Sequence, residues 1–283
     1  MAIEWPLVLF SMLAGGGGCA FAYVALADIL KCGKKARFGT TVVALVITII
    51  GGFCSVAHLA SPENVMAAVW NIGSFSGISI ELILIGITCI LMIAYLVMVG
   101  RKAAENAITI VAAIGGVFGL LLAFFTGHGY VLESQMAWNT ELLPLAYLGT
   151  SIALGAFLYA VCAAGFKVAA EELQKMALPE GVGALIGAVA IVAYVAVVGV
   201  AAGAENPLVV WAGLIACGVV ITAICGILLL VKKALAASLA VPVVGLVAAA
   251  IGALALRSFM WLMGSGFLAL FDISTGSRVI FGF

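Results

Sequence analysis

Residues 78–100 read ISIELILIGITCILMIAYLVMVG, and Arg101-Lys102 follow at once. At about 1.5 Å per residue, a helix of this length crosses the roughly 30 Å of a bilayer's hydrocarbon. Glu81 is the one charge within it. Lipid leaves an open backbone unsatisfied, so helix is the required form. The stretch therefore reads as a membrane span with a carboxylate near one end and a basic stop at the other. The whole chain has the same character. Of 283 residues, 66% are hydrophobic and 8% charged, with a mean hydropathy of +1.36. A soluble domain carries about 25% charged residues. A packed core does not explain the shortfall, because a soluble domain still needs a polar exterior.

Polar breaks divide the remainder into segments of similar length. The expected spans are Pro6–Leu30, Phe38–Leu59, Ile78–Gly100, Asn106–Thr126, Leu142–Phe166, Gly181–Gly203, Pro207–Val231 and Ala234–Phe259. The expected fold is all-α: one integral domain over 1–283, a polytopic bundle of about eight transmembrane helices. The start is acidic at Glu4 and the first apolar run is of full membrane length, so it reads as a retained helix and not a cleaved leader.

Basic residues set the direction. Lys31, Lys34, Lys35, Arg37, Arg101, Lys102, Lys167, Lys175, Lys232 and Lys233 fall in connections on one side. The connections 60–77, 127–141 and 204–206 on the other side have no Lys or Arg, and the tail has only Arg278. The lysine-rich side is expected to be inside, with both termini outside. Trp5, Trp70 and Trp138 are expected at the outer interface as aromatic anchors. A weak internal echo links Glu4-Trp5-Pro6-Leu7 with Glu141-Leu142-Leu143-Pro144-Leu145, with Gly17 and Gly155 equally far along; a parallel repeat of four helices is one explanation. The run Gly15–Gly18 fits close helix contact.

Cys19, Cys32, Cys54, Cys89, Cys162, Cys217 and Cys225 are scattered singly, with no C-x-x-C spacing to mark a zinc or iron–sulfur site. Ionisable residues inside a bilayer are costly and are functional candidates by default. Three are expected at similar depth near the outer face: His58 at the end of the second span, Glu81 at the start of the third, and Arg257 near the end of the eighth. His128, Tyr130 and Glu133 follow the fourth span on that side. His58 reads either as an interfacial histidine bonded to a carbonyl or as a proton acceptor. Glu81 reads either as a structural partner of Arg257 or as a proton-accepting carboxylate. Asp28 is expected to meet the basic inner loop. An imidazole and a partly buried carboxylate both suit proton-coupled redox chemistry, although that chemistry does not by itself single out a quinol.

Several segments together resemble the membrane-anchor subunit of dimethyl-sulfoxide-reductase-type molybdoenzymes. They are Glu4-Trp5-Pro6-Leu7 with Phe10; His58-Leu59-Ala60-Ser61-Pro62 with Asn71, Ser74, Ser76, Ser79 and Glu81; Tyr130 with Ala137-Trp138-Asn139-Thr140 and Pro144-Leu145; and Arg257-Ser258-Phe259-Met260-Trp261. The resemblance implies eight helices, no cofactor or metal of the chain's own, and a quinol site near the outer face. It implies His58 and Glu81 as the quinol-oxidising residues, with Arg257, Asn71, Ser74, Ser79 and Tyr130 in support. Menaquinol is the expected substrate. The implied partners are an iron–sulfur subunit that takes the electrons and a molybdopterin subunit that reduces the terminal acceptor. The setting is the cytoplasmic membrane of a prokaryote and anaerobic respiration. Departures from the family pattern are Ile72 where a basic residue is common, Met136 where proline is common, and Met260-Trp261 in place of Phe-Tyr.

Two rivals come from other classes. A b-type cytochrome needs two facing histidines within the membrane, and His58 and His128 both fall at outer ends. A secondary transporter or channel fits the glycine-rich spans and the repeat, but transporter sites lie near the midplane, where these expected spans carry no charge. Nucleic-acid binding has no support, since the basic residues are only those that set topology.

Overall fold

The computed structural model describes residues 3–57, 70, 73, 76–135, 137–200 and 205–264. All regular elements among them are helical, and eight helices are long and apolar enough to cross a membrane. We label them α1 (Trp5–Ile29), α2 (Arg37–Ala57), α3 (Gly77–Gly100), α4 (Glu105–His128), α5 (Leu142–Gly165), α6 (Ala170–Val198), α7 (Leu208–Val231) and α8 (Ala240–Met263). The chain is thus a multi-pass integral membrane protein. Large apolar side chains project from the bundle where lipid would meet them; Phe53 and Ile90 are 70% and 65% exposed.

The helix limits differ from expectation at two places. The sixth helix begins at Ala170 and not near Gly181. Glu171 and Glu172 in its first turn complement the helix dipole, so charges that read as a polar break are instead a good helix start. Pro179 lies inside this helix, where neighbouring groups in a membrane bundle compensate its missing N–H. The eighth helix begins at Ala240, because Lys233–Ala237 form a short 3-10 turn before it. The outer-interface role expected for Trp138 is also overturned. Its ring is 3% exposed and its indole N–H donates to the Met260 carbonyl at 2.8 Å.

α1 and α5 are the most enclosed helices. α1 packs on α2 and α4, α5 packs on α6 and α8, and the two halves meet mainly where α1 crosses α5. The arrangement matches the sequence echo between the starts of α1 and α5. The turns after α1, α3 and α5 close alike, so this feature is not peculiar to the echo: Lys31, Lys102 and Lys167 adopt a left-handed conformation, φ 54°, 53° and 57°. After α1 and α5, the next two N–H groups bond back to the helix end, Lys31 to Asp28 and Cys32 to Ala27, Lys167 to Ala164 and Val168 to Ala163. These are Schellman closures that use lysine where glycine is usual. The connections are tied together at this lysine-rich end. Arg37 bonds both Glu105 oxygens at 2.9 and 3.3 Å, Lys34 lies 3.3 Å from Glu105, and Lys35 Nζ donates to the Lys167 carbonyl. Asp28 meets Arg37 at 3.7 Å, as expected, and also accepts from Tyr95 at 2.6 Å.

At the run Gly15–Gly18 three neighbouring helices come close to α1. A Cβ at Gly15 would meet Ser151 of α5, at Gly17 the Ala44 carbonyl and Thr48 of α2, and at Gly18 the Gly119 backbone of α4 at 2.9 Å. Successive helical residues point about 100° apart, so consecutive glycines let different neighbours approach one helix. Replacing Gly18 with Val is expected to destabilise the protein by about 1–3 kcal/mol, read as a lower thermal transition of the purified protein in detergent. An unchanged transition would show that α1 and α4 do not meet at backbone distance.

Candidate functional site

At the end of the bundle opposite the lysines, a cavity of about 400 Å³ opens between α1, α2 and α3. Leu7 and Phe10 of α1, Val56 of α2, and Ile78, Leu82 and Ile85 of α3 make its apolar walls. Its polar groups are Ser55, Ser76, Glu81 and Tyr130. Glu81 is the only acidic side chain in the lining among the described residues. α3 starts here because Ser76 caps it. The Ser76 hydroxyl accepts from the Ser79 N–H at 3.3 Å and lies 2.9 Å from the Ser79 hydroxyl. Glu81 therefore falls in the first turns of α3 and reaches the cavity. Gly129 keeps the opposite wall low; a Cβ there would stand 3.3 Å from a Glu81 carboxyl oxygen.

Tyr130 joins the cavity to an aromatic cluster. Its ring lies about 6 Å from each of Trp138, Tyr147 and Trp261, and the two tryptophans meet edge to face at 5.2 Å. Burial holds the Tyr130 phenol well above its ordinary value, so the hydroxyl is a neutral donor or acceptor throughout the physiological range. A second cavity of about 430 Å³ lies between α5 and α6. It is lined by Leu142, Leu145, Leu148, Ile152, Val182, Ile186 and similar residues and has no titratable group. Two cavities of similar size thus differ in chemistry: among the described residues, the lining of the first has titratable groups and that of the second has none.

Of the residues expected at the site, the structure brings Glu81 and Tyr130 to one cavity and puts Ser79 in the cap that starts α3. His58, Asn71 and Ser74 lie outside the described residues, as does most of the connection 60–77. Ser55 and Val56, on the cavity wall, fall in the last turn of α2 before position 58.

Arg257 is not in the cavity lining and does not pair with Glu81. It is fully buried where α1, α5 and α8 meet. Its Nε donates to the Ser11 hydroxyl at 2.9 Å. One terminal nitrogen donates to Thr150 at 3.3 Å and to the Ala253 carbonyl at 3.0 Å, and the other to the Ser11 carbonyl and the Ser151 hydroxyl, each at 3.3 Å. The guanidinium also lies 4.4 Å from the centre of the Tyr147 ring, a cation–π distance. A planar fork with five donors is needed to serve this many acceptors. The arginine was legible in the sequence; its cradle of Ser11, Thr150, Ser151 and Tyr147 was not, because Ser and Thr in apolar spans commonly bond only their own helix. His128 ends α4, is exposed, and stacks on Phe124.

The family described as DMSO reductase anchor subunit (DmsC) matches residues 1–268. No curated protein matches the chain. Arg257→Lys is expected to lower stability by about 1–3 kcal/mol by leaving buried hydroxyl and carbonyl acceptors without donors, measured as a fall in the thermal transition. A transition equal to wild type would show that the charge alone, without the fork, holds α1, α5 and α8.

Proposed function

The chain belongs to the family of DMSO reductase anchor subunits, and on that premise we propose that it oxidises a membrane quinol in the cavity at Glu81. The family implies a membrane anchor that carries an iron–sulfur subunit and a catalytic subunit of a DMSO-reductase-type complex. The finer reading is that the chain takes part in the electron transfer as well as holding its partners.

The observation that carries it is an apolar cavity in which the described lining includes one carboxylate, Glu81, and a neutral phenol, Tyr130. Oxidising a quinol removes two electrons and two protons. The ring needs apolar walls, and each hydroxyl needs an acceptor able to take a proton. The Glu81 carboxylate serves one hydroxyl, and His58 is assigned to the other by the family resemblance. Tyr130 offers a hydroxyl that can hold a quinone oxygen without itself ionising. Arg257 supports the site indirectly, through the Tyr147 ring that packs on Tyr130. Asn71, Ser74 and Ser79 are assigned supporting roles around the head group. The electrons leave to an iron–sulfur cluster of the partner, and the molybdopterin subunit spends them on the terminal acceptor. Menaquinol, the cytoplasmic membrane of a prokaryote and anaerobic respiration complete the reading, with the cavity end of the bundle facing outside.

The test uses the assembled complex in membranes. Glu81→Gln preserves the shape of the side chain and removes its capacity to take a proton. Quinol-dependent reductase activity is expected to fall by roughly 10²-fold or more, while activity with an artificial electron donor that bypasses the membrane subunit stays at the wild-type level. Full quinol-dependent activity in Glu81→Gln would reject the role. Equal loss with both donors would point to failed assembly and call for His58→Leu as the second variant.

A further inference from the structure

The sixth helix carries a carboxylate that the proposed quinol site does not use. Glu180 is 1% exposed, and neither of its oxygens has a hydrogen-bond partner among the described residues. It lies about 15 Å into α6 from Ala170, at 1.5 Å per residue. No ion pair of the described residues includes it, and Lys175 on the same helix is exposed. An ion left there without a counter-charge is costly, and a bound proton removes that cost.

Its surroundings supply a way in. The Tyr23 hydroxyl of α1 donates to the Pro179 carbonyl at 3.2 Å, one residue from Glu180. A Cβ at Gly183 would fall on the same hydroxyl, so Tyr23 occupies the turn of α6 that holds Glu180. Tyr23 and Tyr159 have ring centres 6.4 Å apart. The Tyr159 hydroxyl is buried, has no partner among the described residues, and lies against Gly33. Gly33, in the connection after α1, donates its N–H to Glu172 at 2.6 Å. Glu172 is part-exposed at the lysine-rich end. On the α7 side Gly226 and Leu230 pack on Gly181, and the titratable group nearby on that helix is the buried Cys225 thiol, in one core cluster with Ala177 and Ala184. Polar groups thus descend in steps from the surface to Glu180 through an otherwise apolar interior.

We propose that Glu180 is an exchangeable proton-binding site, reached from the lysine-rich end of the bundle by way of Glu172, Tyr159 and Tyr23. The ligand is a proton drawn from water. Exchange takes one proton in and returns one, so no redox partner is required. The site is separate from the cavity at Glu81 and stands whether or not that cavity binds a quinol.

Infrared difference spectroscopy on the purified complex in lipid tests this. The wild-type minus Glu180→Gln spectrum is expected to contain the carbonyl stretch of a protonated carboxylic acid, and that band is expected to move to lower frequency in D₂O. Tyr159→Phe is expected to keep the band and to slow its shift by roughly 10²-fold, the usual effect of removing one proton-transferring group. Absence of the band, or a band that never shifts in D₂O, would overturn the proposal. Should Glu180→Gln fail to assemble, the wild type and Tyr159→Phe still decide it. A buried-acid band that shifts more slowly in Tyr159→Phe supports the route, and equal rates reject it.

Discussion

The architecture depends on one constraint, the close approach of several helices to α1. Helices in lipid gain nothing from hiding apolar side chains from each other, since the tails are equally apolar; they associate through packing at small residues and through polar contacts. The four glycines at 15–18 remove the side chains from one full turn of α1 and let α2, α4 and α5 touch its backbone. Gly155 of α5 repeats the device against Cys19 and Ala20. The resulting core combines small residues at the helix crossings with bulky ones such as Phe21, Tyr95, Phe157 and Tyr159 packed around them.

Polar contacts then fix what the glycines allow. Arg257 joins α1, α5 and α8 through five hydrogen bonds to hydroxyls and carbonyls, without a carboxylate. The aromatic group of Tyr130, Trp138, Tyr147 and Trp261 carries that fixed point outward to the wall of the cavity. At the other end, Arg37, Lys34 and Glu105 lock the first connection to the start of α4. The cavity at Glu81 lies at the end away from the lysines, beside that aromatic group, where α2 and α3 pack more loosely on each other than α1 does on its neighbours. A site that admits a lipid-borne substrate benefits from such a place.

Much of this was legible in the sequence, and the reasons are physical. Hydropathy and length gave eight spans because lipid leaves the backbone no other choice. Glu81 stood out because a carboxylate in a span is rare, whereas the Ser76 cap that starts its helix is a finding of the structure. Other features were hidden by the same logic. Glu171, Glu172, Lys175 and Glu180 interrupt the apolar run, so the sixth span was expected to start at Gly181, which left Glu180 just outside it. The helix runs through them because its first turn tolerates acids and because Glu180 is enclosed by Tyr23 and its neighbours. Arg257 was expected to face Glu81 because both fall near one end, but its partners come from residues 246 and 107 positions away, and single-span patterns carry no such information. Trp138 resembled an interface anchor and is instead a buried donor to α8.

The anchor role follows from the family, and the redox role rests on which of two similar cavities a quinol enters. The α5–α6 cavity is wholly apolar and could hold a lipid chain, while the cavity at α3 has groups that can accept protons. The most direct measurement is photoaffinity labelling of the assembled complex in membranes with an azido-quinone, followed by peptide mapping. The account predicts labelling of the 76–85 stretch of α3 and of the segment around Tyr130, suppressed by excess menaquinol. Labelling confined to α5 and α6 around Leu145 and Ile186 would contradict it.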